Sequence, residues 1–167
     1  MTFPNLWQAL ADTPWATAIR ESEVVFPALE SVHVLSLTLV AGTIAVVDLR
    51  VLGLVLRAMP AAEIERRVTP TTWAGFTLMA ITGGLLLASE ADDLQHNPAF
   101  LAKVGLLALA GLNVLFFHAV ARPRLLAAPP EGPAPTAARL SAGASLVIWG
   151  SVIVAGRGIA YFHHHGG

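Results

Sequence analysis

The residues of this chain that could perform chemistry are a few carboxylates and histidines, and two of their spacings are typical of metal-ligand sets. Glu30 and His33 form a Glu-x-x-His pair, which places both side chains on one face of a helix. Asp93 and His96 repeat the same spacing. Because helical bundles hold di-iron centres with two such motifs and further carboxylates, Glu30, His33, Asp93 and His96 are one candidate metal site.

Haem ligation by histidine is a second kind of chemistry that the sequence suggests. A b-type haem in a membrane bundle needs axial histidines that approach one iron from opposite sides. His33 could pair with His96 or with His163 of the terminal histidine run. His33 and His118 cannot share a haem, because their expected depths differ by about 20 Å at the ~1.5 Å rise of a helix. Haem b, held by His33 with His96 or His163, is therefore a candidate cofactor.

The composition excludes several other chemistries. The chain has no cysteine, which excludes disulfides, thiolate metal sites and covalently attached haem. Its formal net charge of −1 provides no basic surface for nucleic acid. It contains no glycine-bracketed serine and no phosphate-binding loop. We expect no independent catalytic activity and no binding of nucleic acid.

Four apolar stretches are the elements that must position these residues. Hydrophobic residues make up 55% of the chain and charged residues 13%, whereas about a quarter of a soluble domain is charged. A helix needs about 20 apolar residues to cross a bilayer. Stretches that satisfy this requirement run over about residues 28–56, 71–88, 100–120 and 138–162. Their short, proline-containing connections predict an all-α, transmembrane up-down four-helix bundle.

The segment before the first span is predicted to form a short helix at the membrane interface. Residues 1–27 lack the basic start and the continuous apolar core of a signal peptide. Asp12-Thr13-Pro14 has the pattern of a helix cap followed by a first-turn proline. The expected division is an interfacial segment at 1–27, the transmembrane domain at 28–162 and a tail at 163–167.

The distribution of arginine predicts the orientation of the spans. The two loops after the first and third spans contain Arg57, Arg66, Arg67, Arg122, Arg124 and Arg139. The opposite side carries Arg20 in the N-terminal segment and no Lys or Arg in the loop 90–98. Because short cytoplasmic loops are enriched in Lys and Arg, these two loops are expected in the cytoplasm and both termini in the periplasm.

The ionisable residues within the spans are expected to form two layers. Glu30, His33 and Asp48 share one face of the first span, since Glu30 and Asp48 are separated by 18 residues, about five turns of a helix. Charged groups are costly at membrane depth, so this face is expected to point inward. The layers could fix the register of the helices, handle protons or support redox chemistry. The predicted pairs are Glu30 with Arg157 or Lys103 in the outer layer and Asp48 with His118 in the inner layer.

Several blocks of residues carry a family resemblance. They are Glu30-Ser-Val-His33, Asp48-Leu-Arg50, Thr72-Trp73-Ala-Gly75 and Asn97-Pro-Ala-Phe100. Over roughly residues 20–162 the chain resembles a family of small bacterial four-span membrane proteins that is catalogued as a domain of unknown function. The resemblance implies the architecture and a bacterial inner membrane, and it implies no activity. The chain is also faintly similar to copper-resistance-D-type and b-cytochrome-type domains, but it lacks their histidines paired at matching depths and a methionine-rich copper path.

The expected role is an accessory or anchor subunit that assembles a larger membrane complex, including a redox or energy-transducing one. The loops leave little room for an active site, and the apolar faces suit the lipid bilayer, other membrane subunits or self-association. One alternative is a b-type haem or quinone-linked electron carrier that uses the layer around His33. Another is a proton or small-solute conduit, which the apolar stripe Leu37, Ala41 and Ile44 between the two layers disfavours.

Overall fold

Four long helices make up most of the molecule. The computed structural model describes residues 5–129 and 132–162. The long helices are α3 (Val25–Val51), α4 (Ala61–Ser89), α6 (Pro98–Phe116) and α8 (Thr136–Gly158). Each lies in a helical stretch long and apolar enough to cross a membrane, with α6 continuing to Ala127 and α8 to Tyr161. The described residues contain no strand, and the all-α, four-helix membrane architecture is confirmed.

Short helices lie at both ends of the bundle. They are α1 (Leu6–Ala11), α2 (Pro14–Arg20), α5 (Ala91–Leu94) and α7 (Arg122–Ala127). The end with α1, α2 and α5 is called the α5 end, and the end with α7 is called the α7 end. The N-terminal segment forms helices as predicted, and α2 has Thr13 at its N-cap position and Pro14 in its first turn. A proline fits there because a first-turn N–H has no partner within the helix.

The long helices pack in the order α4, α3, α8, α6. In the described residues, α3 packs against both α4 and α8, and α8 packs against α6, whereas α4 and α6 make almost no direct contact. In the most apolar part of each span, α8 is 39% buried and the helix that begins with α6 only 11%. The helices α3 and α8 are therefore the central pair, and α6 presents most of its surface outward.

Two apolar clusters hold the four helices together. The larger cluster, at the middle of the bundle, consists of Val40, Met79, Ala110, Ile148, Trp149 and Val152. The smaller cluster, at the α7 end, consists of Val51, Ala61, Ala121, Ala138 and Ala142. Since alanines dominate the smaller cluster, the helix backbones can approach closely there.

The fourth helix in chain order, α4, begins earlier than the sequence suggests. The second span is expected to begin at about residue 71, but the helix begins at Ala61 after Pro60 and continues through Pro70. Proline inside a helix removes one backbone hydrogen bond. The turns before Pro70 contain Arg66 and Arg67, which are both exposed, so these turns extend the helix beyond its apolar part.

The third span also continues beyond its expected end. The third span is expected to end at about residue 120, but a π-helical segment at Phe117–Ala121 joins α6 to α7. Pro123 cannot donate a backbone hydrogen bond, and its ring needs space next to the preceding turn. In the wider π turn, the N–H of Arg122 donates to the carbonyl oxygen of Phe117, five residues earlier. The π turn thus accommodates the proline without ending the helix.

Candidate functional site

His33 connects α3 to α4 near the α5 end of the bundle. Its Nδ1 lies 3.1 Å from the carbonyl oxygen of Met79 and 3.1 Å from Oγ1 of Thr82. Because a carbonyl oxygen only accepts hydrogen bonds, Nδ1 carries the hydrogen that is donated to Met79. The ring lies against Gly83, where a Cβ atom would be 2.8 Å from Cε1. Nε2 is then the ring nitrogen that remains for another partner.

Lys103 of α6 joins His33 in the outer layer. It is half-buried and close enough to His33 for an electrostatic interaction. Its side chain runs past Gly156 of α8, where Nζ would lie 3.7 Å from an added Cβ atom. In the described part of the chain, Lys103 forms no ion pair. The outer layer therefore brings together an imidazole ring and a lysine side chain from two different helices.

The predicted pairing of Glu30 with Arg157 or Lys103 is wrong. Glu30 and Arg157 are both exposed, and the ion pairs of the described residues lie elsewhere, at the α7 end. The guanidinium of Arg157 lies 5.8 Å from the ring centroid of Tyr161. Glu30 lies in the second turn of α3 and Arg157 in the last turn of α8. Near the ends of the spans, water and headgroups solvate a charge, so neither residue has to turn inward.

The candidate metal and haem ligands are not assembled in the described residues. No three His, Asp or Glu side chains of residues 5–129 and 132–162 form a group that could hold a metal ion. Asp93 and His96 are exposed around α5, and Glu30 is also exposed. His33 instead turns toward α4. The remaining candidate, His163, lies outside the described residues.

Asp48 occupies the inner layer without the partner that the sequence suggests. It is 8% exposed, and its Oδ2 has no hydrogen-bond partner among the described residues. Ser145 of α8 faces its carboxyl group. The predicted bond to His118 is wrong, because His118 is exposed and its Nδ1 lies 3.0 Å from the carbonyl oxygen of Val114 in its own helix. Asn113 of the same span faces α8. His118 lies about 140° from Asn113 around the helix, so it points away from α8 and from Asp48.

The larger apolar cluster separates the two layers. Leu37, Ala41 and Ile44 of α3 pack against this cluster, between His33 and Asp48 along the same helix. Val40 and Val152 at its centre are fully buried. The polar groups of the two layers are therefore not connected through the described bundle, which argues against a continuous proton path.

Asn113 links α6 to α8 through its side-chain amide. Its Nδ2 donates to the carbonyl oxygen of Ser141 at 3.2 Å, and its Oδ1 accepts from the Ser141 hydroxyl at 3.1 Å. Both ends of the amide are thus used. Within a membrane such polar pairs fix the relative position of two helices.

Two further links were missed by the sequence analysis because their partners are far apart in the chain. Arg122 pairs with Glu65 at 2.8 Å, which joins the α7 end of the third span to α4. Arg20 donates to the carbonyl oxygens of Ser89 and Ala11, which attaches the N-terminal helices to the end of α4. No local pattern identifies such partners, since only the packing of the helices brings them together.

A groove between α3 and α8 extends from Asp48 toward the α5 end of the bundle. Its volume is about 320 Å³. Gly42 and Gly150 line it from opposite sides, and an added Cβ atom at either position would meet nothing within 4 Å. The ring of Trp149 borders the groove as well. The groove exists because glycine takes the place of a larger side chain on both helices.

Comparison with known proteins identifies a family and no closer relative. The model of a family of unknown function, DUF6644, matches residues 21–162. The curated proteins and the solved structures give no significant match. The family match extends from before α3 to the end of α8, so it includes both polar layers and the groove. The family resemblance expected from the sequence is confirmed: this membrane protein belongs to DUF6644.

Proposed function

We propose that the protein is a non-catalytic membrane subunit that packs through α6 against a membrane-spanning helix of a partner. The observation that carries the proposal is the low burial of this span. Only 11% of its most apolar part is buried within the chain, compared with 17% for α3, 22% for α4 and 39% for α8. Because so little of this apolar part is buried, most of its surface is free for lipid or for another helix.

The outward face of α6 has the spacing of a helix-packing surface. A stripe of exposed residues, here called the α6 stripe, consists of Leu101, Val104, Ala108, Gly111, Leu115 and His118. Successive members are three or four residues apart, as in the contact seam of a coiled coil. An added Cβ atom at Gly111 would meet nothing within 4 Å, so a second helix could approach the backbone closely there.

His118 at the end of the α6 stripe also favours a protein partner over lipid alone. Its Nδ1 bonds to the carbonyl oxygen of Val114, which leaves Nε2 without a partner in the described residues. Lipid tails offer no hydrogen-bonding group, and an ionisable side chain in a span usually faces protein or a polar cavity. A polar group on a partner helix would satisfy this nitrogen.

The proposal includes an orientation in the membrane. The α7 end carries the arginines of both arginine-rich loops, and the α5 end carries Arg20. By the positive-inside rule, the α7 end faces the cytoplasm and both termini lie in the periplasm of a bacterial inner membrane. The N-terminal helices α1 and α2 then lie at the periplasmic surface.

Site-specific photo-crosslinking tests the proposed partner surface. A benzophenone amino acid is placed at Leu115 of the α6 stripe or at Leu35 of α3, which are similarly exposed at 67% and 69%. We expect a discrete protein adduct in native membranes from Leu115 and only lipid adducts from Leu35. Gly111→Leu should weaken the Leu115 adduct by blocking close approach. The mass of the adduct distinguishes another subunit from a second copy, and identical lipid adducts from both positions would contradict the proposal.

A second candidate function is that of a b-type haem electron carrier. The observation that favours it is the hydrogen bond from Nδ1 of His33 to the carbonyl oxygen of Met79, because metal-binding histidines usually donate their other ring N–H to such a group. We expect a haem protein to show a Soret band that His33→Ala removes and His118→Ala retains. A purified protein with no Soret band after expression with sufficient haem would exclude this candidate.

A further inference from the structure

Asp48 and Trp149 are two buried polar residues with unused hydrogen-bonding capacity. Each is 8% exposed. In the described residues, Oδ2 of Asp48 accepts no hydrogen bond, and the indole N–H of Trp149 donates none. A buried carboxyl oxygen without a partner, such as Oδ2 of Asp48, is rare in protein interiors, because it loses its bonds to water without gaining another. Both residues line the groove between α3 and α8.

Arg50, the cationic residue closest to Asp48 in the sequence, and His118, its predicted partner, are engaged elsewhere. Arg50 donates to the carbonyl oxygens of Met59 and Arg57 in the connection after α3. His118 is exposed on the outward face of α6. Ser145 is the side chain from the facing helix that interacts with the carboxyl group. No cation of the described residues forms an ion pair with Asp48, so an incoming donor would find an acceptor available.

The shape of the groove restricts what can occupy it. Its volume of about 320 Å³ is at the lower end of small-molecule sites and is far too small for a helix of about 10 Å diameter. Glycines on both walls, Gly42 and Gly150, favour a flat body. Thr38, Gly42 and Gly150 are exposed, so the groove opens onto the outward surface of the spans. An occupant can therefore enter from the lipid.

The polar groups of the groove restrict the chemistry of its occupant. The unpartnered Oδ2 of Asp48 can accept a hydrogen bond, and an indole N–H only donates one. A hydroxyl group can satisfy both, whereas an ammonium group can only donate. The hydroxyl of Thr38, which also lines the groove, already donates to the carbonyl oxygen of Val34. Asp48 and Trp149 are therefore the groups that would recognise an occupant.

We infer that the groove binds a lipid-soluble molecule with a flat ring that carries a hydroxyl group. The hydroxyl donates to the carboxyl group of Asp48, and the ring lies between the glycine walls beside Trp149. This site is independent of the partner surface on α6. It involves no redox step and gives the protein a means of binding a phenolic lipid or a related ring compound from the bilayer.

Binding of 5-pentylresorcinol to the full-length protein in phosphatidylcholine nanodiscs tests the inference. Its dimethyl ether is the matched probe, because it keeps the ring and the chain but cannot donate a hydrogen bond. We expect the ether to bind about tenfold more weakly, as expected for the loss of one hydrogen bond. Equal binding of the two probes would overturn the role of Asp48. Tighter binding of decylamine than of the resorcinol would overturn the hydroxyl assignment.

Variants on α8 separate binding in the groove from partition into the bilayer. Gly150→Leu fills the groove without altering Asp48 and should abolish saturable binding. Gly143→Leu is the control, because Gly143 lies seven residues earlier on the same helix, has nothing within 4 Å of an added Cβ atom, and does not line the groove. It should bind like the parent protein. Unchanged binding in Gly150→Leu would overturn the site.

Variants of the two polar residues test the recognition of the hydroxyl. Asp48→Ala should weaken resorcinol binding about tenfold and leave ether binding unchanged. Trp149→Phe removes the N–H donor and should weaken resorcinol binding by a smaller factor. If Asp48→Ala does not fold, the Gly150→Leu variant and the ether comparison still decide the question. An Asp48→Ala protein that folds and binds the resorcinol with the parent affinity would overturn the inference.

Discussion

At the scale of single residues, the contact between His33 and Gly83 shows how polar and small side chains act together in this bundle. The imidazole bonds to the carbonyl oxygen of Met79 and approaches the α4 backbone at Gly83. A histidine that donates to a backbone carbonyl is held in one tautomer and one ring orientation. The adjacent Gly84 has no such neighbour, so two successive glycines have different roles.

Alanine substitution of these two glycines should have opposite effects. Gly83→Ala places a Cβ atom 2.8 Å from Cε1 of His33, and overpacking of this kind should destabilise the protein by about 1–3 kcal/mol. Gly84→Ala meets nothing within 4 Å and should be neutral or stabilise the helix by up to about 1 kcal/mol. Thermal unfolding in detergent, followed by circular dichroism, measures both. Equal stability of the two variants would show that the His33 ring does not pack against Gly83.

At the scale of helices, polar side-chain pairs determine the relative position of neighbouring helices, which apolar contacts alone would not determine. The pair Asn113–Ser141 joins α6 to α8, and Thr72 donates to Thr43 at 2.8 Å between α4 and α3. In lipid, apolar side chains gain little from contacting each other instead of acyl chains, so packing and hydrogen bonds determine the arrangement.

A double-mutant cycle should reveal the bond between α6 and α8. Asn113→Ala and Ser141→Ala should each lower the unfolding free energy, and the double variant should lose less than the sum. The expected coupling is about 0.6 kcal/mol, the average for polar pairs between membrane helices. Unfolding in mixed micelles with increasing SDS measures these values. Strict additivity would mean that the two side chains do not interact in the membrane.

Charge reversal should test the ion pair between α4 and the α7 end of the third span. Glu65→Arg or Arg122→Glu alone places like charges opposite each other and should lower the unfolding free energy by about 1 kcal/mol. The double reversal should restore most of this loss. The pair Glu63–Arg67 lies within α4 and is more exposed, so its reversal should have a smaller effect. Failure of the double reversal to restore stability would contradict the contact.

At the scale of the whole molecule, the arrangement of four spans determines which surfaces face water, lipid or protein. Asp48 lies between the central helices α3 and α8, whereas α6 faces outward with the α6 stripe. The arginine-rich connections lie together at the α7 end, since both follow helices that run in the same direction. The orientation of the chain in the membrane therefore determines where every exposed surface lies.

Cysteine labelling should establish this orientation. Because the chain has no cysteine of its own, only the introduced cysteine of each variant can react. Arg66→Cys and Arg124→Cys, both exposed at the α7 end, should be protected from a membrane-impermeant maleimide in intact cells. Asp93→Cys, exposed at the α5 end, should be labelled. Disrupted cells, in which all three positions should react, serve as the control. Labelling of Arg66→Cys in intact cells would reverse the proposed topology.

The sequence by itself determined that this is an all-α membrane protein with four spans, because the length and hydrophobicity of a spanning helix are local properties. It also identified the Asp12-Thr13-Pro14 start of α2. It could not assign partners to Glu30, Asp48 or His118, because the angle of a side chain around its own helix does not say which neighbour it meets.

Only the tertiary structure decided that His33 contacts α4, that His118 and Glu30 face outward, and that Asp48 lies beside a groove. These facts depend on the packing order α4, α3, α8, α6, and on a π turn that lets the third span continue past Pro123. Both arise from contacts between residues far apart in the chain. Helical periodicity describes each helix separately, whereas the environment of a side chain depends on the helices packed around it.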